Sequence, residues 1–93
     1  MIKIKDIDPL LKRMVELLRL GGVDDWANTF ERLRDELAVD PEGVESKILS
    51  MYGGMGSLND LVLYRNGQPL LAENNEFDAL RTRLYESCQK IKR

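Results

Sequence analysis

The residues best suited to chemistry lie in one glycine-rich segment after the middle of the chain. Three glycines and a serine occur within five residues, and a carboxylate follows: Gly53, Gly54, Gly56, Ser57 and Asp60. Glycine permits positive φ, so neighbouring backbone N–H groups can converge into a nest that binds a phosphate or a carboxylate. The same glycines also suit a structural turn in which a helix reverses against the next element. Because the segment lacks the lysine of a phosphate-binding P-loop, we favour the structural turn.

A second group of candidate residues is acidic and lies earlier in the chain. Residues 24–45 contain eight acidic side chains and two basic ones, a charge of −6, whereas the whole chain carries −2. Such a surface repels nucleic-acid phosphates and attracts a basic protein. A solvated helix face explains the same charges, and on charge alone we slightly favour it. The candidate partner-binding residues are Asp24, Asp25, Glu31, Asp35, Glu36 and Asp40.

The composition excludes several kinds of catalytic and metal site. The chain has no histidine and one cysteine, Cys88. Nucleophile pairs that need histidine and zinc sites built from cysteine and histidine are therefore impossible. No calcium-loop pattern of Asp and Asn occurs either. We expect a protein without catalytic residues, metal or cofactor, in which Cys88 is a buried core residue.

A DNA-reading helix-turn-helix is disfavoured by charge. The turn at Asp40 joins two predicted helices, but the second, residues 41–52, carries Lys47 as its only basic residue. Glu42 and Glu45 lie near its leading end, where contacts to bases and phosphates require positive charge. We therefore expect no nucleic-acid partner.

Length and hydropathy predict one domain over residues 1–93, because a chain of this size builds one modest core. No apolar run approaches the roughly 18 residues of a membrane-spanning helix. The first six residues lack the apolar centre of a signal peptide. We expect a cytoplasmic protein with no membrane partner, and the sequence leaves its oligomeric state open.

Apolar residues at helical spacing predict four helices, and local signals mark their ends. The expected starts are Asp8-Pro9, Asp24 or Asp25, Asp40-Pro41 and Asn74-Asn75, and the expected stops are Gly21-Gly22 and Gly53-Gly54. These starts carry N-cap residues or a proline in the first turn, and glycine is the usual residue just after a helix. The acidic candidates would then lie on the second helix and at the start of the third.

A β-hairpin is expected between the third and fourth helices. Asn66-Gly67 separates two apolar runs, and this is the strongest short hairpin signal in a sequence. Pro69 places the second strand at an edge. Residues 57–60 have the form of a capping box, typical of a helical turn, although the apolar run that follows favours a strand. The predicted fold is mainly α, a single-domain bundle of about four helices with a short hairpin near residues 61–72.

Residues 50–64 also carry a family resemblance. They read Ser-Met-Tyr-Gly-Gly-Met-Gly-Ser-Leu-Asn-Asp-Leu-Val-Leu-Tyr and continue into Arg65-Asn66-Gly67. This segment resembles the signature of a largely uncharacterised family of small bacterial proteins, which has an aromatic residue in place of Leu58. Members of that family look like products of genes beside bacterial toxin genes. The resemblance implies an immunity protein of the contact-dependent inhibition type, which binds and blocks a toxin, and it brings no catalytic residues.

These observations support one leading hypothesis and two alternatives. The leading hypothesis is a cytoplasmic immunity protein whose acidic residues mask the active site of a basic cognate toxin, with a nuclease the expected class. The first alternative is a small ligand- or anion-binding domain or enzyme that uses residues 53–57 with Asp60. The second alternative is an adaptor or regulatory subunit, which needs only a binding face.

Overall fold

A computed structural model describes residues 4–52 and 58–91 of the chain. Its elements are α1 (Ile4–Leu20), α2 (Asp24–Leu37), α3 (Pro41–Ser50), a 3₁₀ turn (Leu58–Asp60), β1 (Tyr64–Arg65), β2 (Gln68–Pro69) and α4 (Leu71–Ile91). Four helices and a two-stranded antiparallel hairpin confirm the predicted fold class. The 3₁₀ turn lies where the capping-box pattern indicated a helical turn.

The start of α1 differs from the prediction. Asp8 does not cap the helix, which begins at Ile4 and contains Pro9 in its interior. Proline has no N–H, so the carbonyl of Lys5 loses its intrahelical partner; Lys5 is exposed, so water can solvate that carbonyl. The side chain of Ile7 is completely buried. Its burial extends the apolar stripe of α1 past the proline and favours the longer helix.

The predicted stop of α1 at Gly21-Gly22 is confirmed. Gly22 has a φ of +75°, the left-handed conformation that glycine adopts easily. The N–H of Val23 donates to the carbonyl of Leu18 at 2.8 Å, and that of Gly22 donates to Arg19 at 3.1 Å. These two bonds form a Schellman motif.

Neither predicted cap of α2 is correct. The N-cap is Val23, which makes no side-chain capping bond, and Asp24 and Asp25 lie in the first turn. Val23 closes α1 through its N–H and accepts the first bond of α2 from Ala27. Valine has no side-chain oxygen, so the N-cap residue supplies no capping bond to the first N–H groups of α2. The two aspartates still favour the helix, since negative charge is stabilising at an N-terminus.

The start of α3 is confirmed, whereas that of α4 is not. Asp40 caps α3 by accepting from the N–H of Gly43 at 3.1 Å. The expected stop at Gly53-Gly54 lies outside the described residues. Helix α4 begins at Leu71, so Asn74 and Asn75 lie inside it. The N–H of Asn74 donates to the carbonyl of Leu70, the residue before the helix, and the side chain of Asn74 bonds elsewhere.

The hairpin is shorter than predicted. Asn66 and Gly67 have φ of 54° and 76°, as a tight hairpin turn requires, and Tyr64 pairs with Pro69. The side chain of Asn74 accepts from the N–H of Leu63 at 2.7 Å and donates to its carbonyl at 3.0 Å. We call this pair of bonds the Asn74 clamp. It takes the N–H of Leu63 that a longer β1 would use, although the carbonyl of Leu63 still accepts from the N–H of Leu70 at 2.9 Å. Helix α4 includes the residues expected at the end of β2.

The core is one cluster to which all four helices contribute. α1 packs against α2 and α4, and α3 packs against α4 and α2. The largest fully buried side chains of this core are Phe30, Phe77, Ile7, Leu11, Met14, Leu17, Leu18, Leu37, Ile48, Leu58, Leu63 and Leu84. A Cβ on Gly21 would lie 2.9 Å from the side chain of Leu63. The absence of that atom lets the hairpin base pack onto the end of α1. Within residues 4–52 and 58–91, no helix has the length and hydrophobicity needed to cross a bilayer.

An exposed ion pair joins α1 to α4. Arg13 donates two hydrogen bonds to the carboxylate of Glu76, at 2.6 and 2.9 Å. These hydrogen bonds hold the pKa of Glu76 below its ordinary value of 4.5. Because both side chains are about half exposed, solvent screening limits the contribution to about 0.2–1 kcal/mol.

The variant Arg13→Gln is expected to raise the pKa of Glu76 toward 4.5. A carboxyl with a lowered folded-state pKa stabilises the fold above the unfolded-state pKa, and that contribution is lost as the pH falls through the folded-state pKa. The stability difference between wild type and variant should therefore be full at neutral pH and shrink below about pH 4.5. NMR titration of the Glu76 carboxyl carbon measures the pKa. Lys12→Gln removes the same charge one residue away and should leave the pKa of Glu76 unchanged. If both variants shifted this pKa equally, the hydrogen bonds from Arg13 would not be its cause.

Candidate partner-binding surface

The acidic candidates lie on the outer side of α2 and in the turn into α3. The core side of α2 consists of Ala27, Phe30, Leu33 and Leu37. Asp24, Asp25, Asp35 and Asp40 are exposed, and Glu31 and Glu36 are half-buried. We call these six residues the acidic face. Since α2 has 14 residues, the face extends over about 20 Å at 1.5 Å per residue.

Glu45 belongs to the acidic segment of the sequence but not to this surface. Its side chain is 2% exposed, and it lies close enough to Cys88 for its negative charge to act on the thiol. Burial, and then that charge, raise the pKa of Cys88 to about 12. The thiol is therefore protonated and inaccessible, as expected for a core cysteine rather than a reactive one.

Local cations partly neutralise the acidic face. Arg19 lies 3.7 Å from Asp24, and Lys47 donates to Glu36 at 2.7 Å. Arg19 and Lys47 both lie outside residues 24–45, the segment rich in acidic residues. A charge count over that segment therefore does not include them.

Arg34 neutralises another part of the face. It donates to Asp8 of α1 at 2.9 Å. This hydrogen bond, followed by the negative charges of Asp8, Glu31 and Asp35, raises the pKa of Arg34. The guanidinium thus lies among three carboxylates. Among the six predicted residues, only Asp24 and Glu36 form ion pairs within the described part of the chain. The charges of Glu31 and Asp35 act on Arg34, and Asp40 caps α3. Asp25 has none of these partners.

A pocket lies beside Asp25, between α2 and the end of α3. It has a volume of about 270 Å³ and is lined by Asp25, Trp26, Thr29 and Met51. We call it the Trp26 pocket. Trp26 is half-buried and meets the fully buried Phe30 edge to face, with ring centroids 6.1 Å apart. The hydroxyl of Thr29 donates to the backbone carbonyl of Asp25 at 3.0 Å. The pocket therefore combines apolar walls with one carboxylate.

A second pocket lies between Tyr52, which follows α3, and helix α4. Its volume is about 280 Å³ and its lining consists of Tyr52, Asp78, Arg81, Thr82 and Tyr85. The tyrosine rings pack at a tilt, with centroids 4.9 Å apart, and burial raises the pKa of Tyr52. Because Arg81 is one of its lining residues, this pocket is the place to test the alternative of an anion-binding domain.

The polar groups of this second pocket are occupied within the protein. Tyr52 donates to the carbonyl of Arg81 at 2.6 Å. Arg81 donates to the carbonyl of Leu58 at 2.9 Å and to Asp78 at 2.5 Å. Gln89 donates to the hydroxyl of Tyr85 at 2.8 Å. These bonds tie α4 to the 3₁₀ turn and to the end of α3, so the arrangement favours a structural role.

The glycine-rich candidates cannot be placed in this description. Gly53, Gly54, Gly56 and Ser57 lie outside the described residues, and Asp60 is exposed at the end of the 3₁₀ turn. In the part of the chain that the structure describes, no group of three or more Cys, Asp or Glu side chains could hold a metal ion. The acidic face and the Trp26 pocket are thus the candidates with a defined geometry.

Comparison with known proteins assigns a family. A family model described as a domain of unknown function, DUF6966, matches residues 19–71, more than half of the chain. The chain belongs to the DUF6966 family. No curated protein and no solved structure gave a match. The DUF6966 region contains the whole acidic face and the whole lining of the Trp26 pocket. By contrast, Asp78, Arg81, Thr82 and Tyr85 of the second pocket lie beyond it.

Proposed function

We propose that this protein is a cytoplasmic immunity protein that binds a basic toxin domain through its acidic face and masks the toxin's active site. The observation that carries the proposal is the acidic face itself, six carboxylates along one helix and the following turn. The resemblance of residues 50–64 to a toxin-associated family supports a toxin as the partner. The protein acts by binding, without catalysis or a cofactor.

The charge of this surface suits a nuclease partner. A nuclease binds phosphates in a basic cleft, and carboxylates on a helix can occupy the same positions. The ion pairs with Arg19 and Lys47 are exposed, and such pairs contribute only about 0–1 kcal/mol. They can therefore be exchanged for cations of the partner at small cost. The remaining negative charge would steer a basic partner and raise its association rate.

The helix that carries the acidic face is fixed to the rest of the protein, which favours tight binding. α2 is buried along its core side by Phe30, Leu33 and Leu37, and Arg34 ties it to α1 through Asp8. A helix fixed in this way needs little reordering when a partner binds, so less binding free energy is lost to ordering.

Co-expression tests the proposal. The protein is produced together with the product of each neighbouring gene, and the complex, the toxin's activity and cell survival are measured. Asp35→Lys/Glu36→Lys is expected to weaken the complex at least about tenfold at physiological salt, since reversal places like charges opposite each other. Glu16→Lys/Glu86→Lys makes the same charge change on exposed residues of α1 and α4 and should leave affinity nearly unchanged.

Two results would overturn this proposal. One is the absence of a complex with any neighbouring gene product. The other is a complex that the double reversal at Asp35 and Glu36 leaves intact. If a complex forms but the partner keeps its activity, the adaptor or regulatory role is the better description, because an adaptor uses the same face without inhibition.

A further inference from the structure

We infer that the Trp26 pocket binds one arginine side chain of the basic partner, with the guanidinium between the indole ring and the carboxylate of Asp25. The inference rests on the proposed function for the existence of a basic partner. It adds the pocket that the partner enters and the residue type that enters it.

The size and lining of the pocket fit a single long side chain. The pocket is open to solvent and has a volume of about 270 Å³. That is room for one extended side chain and not for a helix or a strand. Trp26 and Met51 supply apolar surface for the methylene stem, and Asp25 supplies an acceptor at the rim. A long cationic side chain has these two parts, an apolar stem and a charged end.

Asp25 is the member of the acidic face that lines the pocket, and its carboxylate is available for such a contact. Asp24 lies near Arg19, and Glu36 accepts from Lys47. Among residues 4–52 and 58–91, no cation pairs with Asp25. Because Asp25 and Trp26 are consecutive on α2, their side chains diverge by about 100°. The carboxylate therefore lies on the solvent side of the pocket and the ring on the core side.

The chemistry of the two groups selects arginine over lysine. A guanidinium is planar, so it stacks on an aromatic face and still forms two parallel hydrogen bonds with a carboxylate. An ammonium group makes no planar stack and no bidentate bond. The ring is held edge to face against Phe30, so it need not be ordered on binding. Tryptophan and arginine are also the residues most often found as hot spots of protein interfaces.

The single tryptophan of the chain makes a direct test possible, because all tryptophan fluorescence comes from this pocket. A hexa-arginine peptide and a hexa-lysine peptide are titrated into the full-length protein at 150 mM salt. We expect a saturable change in Trp26 emission with the arginine peptide, at an affinity about tenfold higher than with the lysine peptide. Equal affinities for the two peptides, or peptide binding without a fluorescence change, would overturn the inference.

Two variants that each remove one negative charge supply the comparison. Asp25→Asn should weaken binding of the arginine peptide about tenfold, whereas Glu42→Gln, at an exposed residue outside the acidic face, should weaken it less than twofold. If both variants lost the same affinity for the arginine peptide, the effect would come from net charge rather than from the pocket, and the pocket assignment would be overturned. Circular dichroism confirms that both variants fold.

The test separates this inference from the function on which it rests. If the peptide results hold and no neighbouring gene product binds, the pocket assignment stands and the immunity function is wrong. If a toxin complex forms and Asp25→Asn weakens it no more than Glu42→Gln does, the function stands and the pocket assignment is wrong.

Discussion

Replacing Phe30 with alanine is expected to lower the free energy of unfolding by about 3–5 kcal/mol. The ring is completely buried, so its loss removes a large apolar area and leaves a cavity between α2 and its neighbours. Domains of this size have about 5–15 kcal/mol of stability in total. The midpoint of thermal unfolding should therefore fall by at least about 12 °C. Urea and thermal denaturation followed by circular dichroism measure both quantities.

Tyr64→Ala is the control for this prediction. It also removes an aromatic ring, but Tyr64 is 51% exposed on the hairpin. Surface substitutions of this kind usually change stability by no more than about 0.5 kcal/mol. If the two variants lost the same stability, burial of the Phe30 ring would not be the cause of the loss.

Replacing Asn74 with aspartate is expected to destabilise the protein by about 1–3 kcal/mol. The substitution keeps the shape of the side chain and the acceptor for the N–H of Leu63. It removes the donor that lies 3.0 Å from the carbonyl of Leu63 and places an anionic oxygen against that carbonyl. The loss should shrink in acid, because a protonated carboxyl group can donate again. Urea unfolding at pH 7 and at pH 3 measures the difference.

The neighbouring residue again supplies the control. Asn75→Asp makes the same chemical change on an exposed residue of α4 and should change stability by no more than about 0.5 kcal/mol. If Asn74→Asp proved equally mild, the Asn74 clamp would contribute little to the fold. A loss that stayed the same at pH 3 would also contradict the proposed cause.

The parts of the fold that sequence predicts correctly are fixed by neighbouring residues. The stop at Gly21-Gly22, the cap at Asp40 and the turn at Asn66-Gly67 each depend on backbone bonds and conformations within a few positions. Such signals act in the same way in any surrounding structure. The four helices were predictable for a similar reason, because each buries a stripe at helical spacing.

The parts that sequence misses depend on which elements become neighbours. Asn74 looks like a helix cap because its partner, Leu63, lies on the other side of the hairpin. The strands are short for the same reason. At the start of α1, burial of Ile7 outweighs the local signal of Asp8-Pro9. Local propensity is a weak prior, and tertiary contacts override it at these positions.

The same distinction applies to the candidate surface. The sequence placed the acidic residues on the second helix and at the start of the third, but it did not predict the ion pairs with Arg19 and Lys47, which come from neighbouring segments. The Trp26 pocket was not predicted at all, since it requires Met51 to lie beside α2. An aromatic residue at the start of an acidic helix is the only signal that the sequence offers for it.

The exposure of the hairpin has a practical consequence. Every residue from Tyr64 to Pro69 is exposed, and the base of the hairpin is held by the Asn74 clamp rather than by its tip. Lengthening an exposed loop has an entropic cost that rises only slowly with the number of residues. The bond between Asn66 and Gly67 is therefore the natural point at which to insert an epitope tag or a fluorescent label. A probe placed there leaves the acidic face and the Trp26 pocket unmodified.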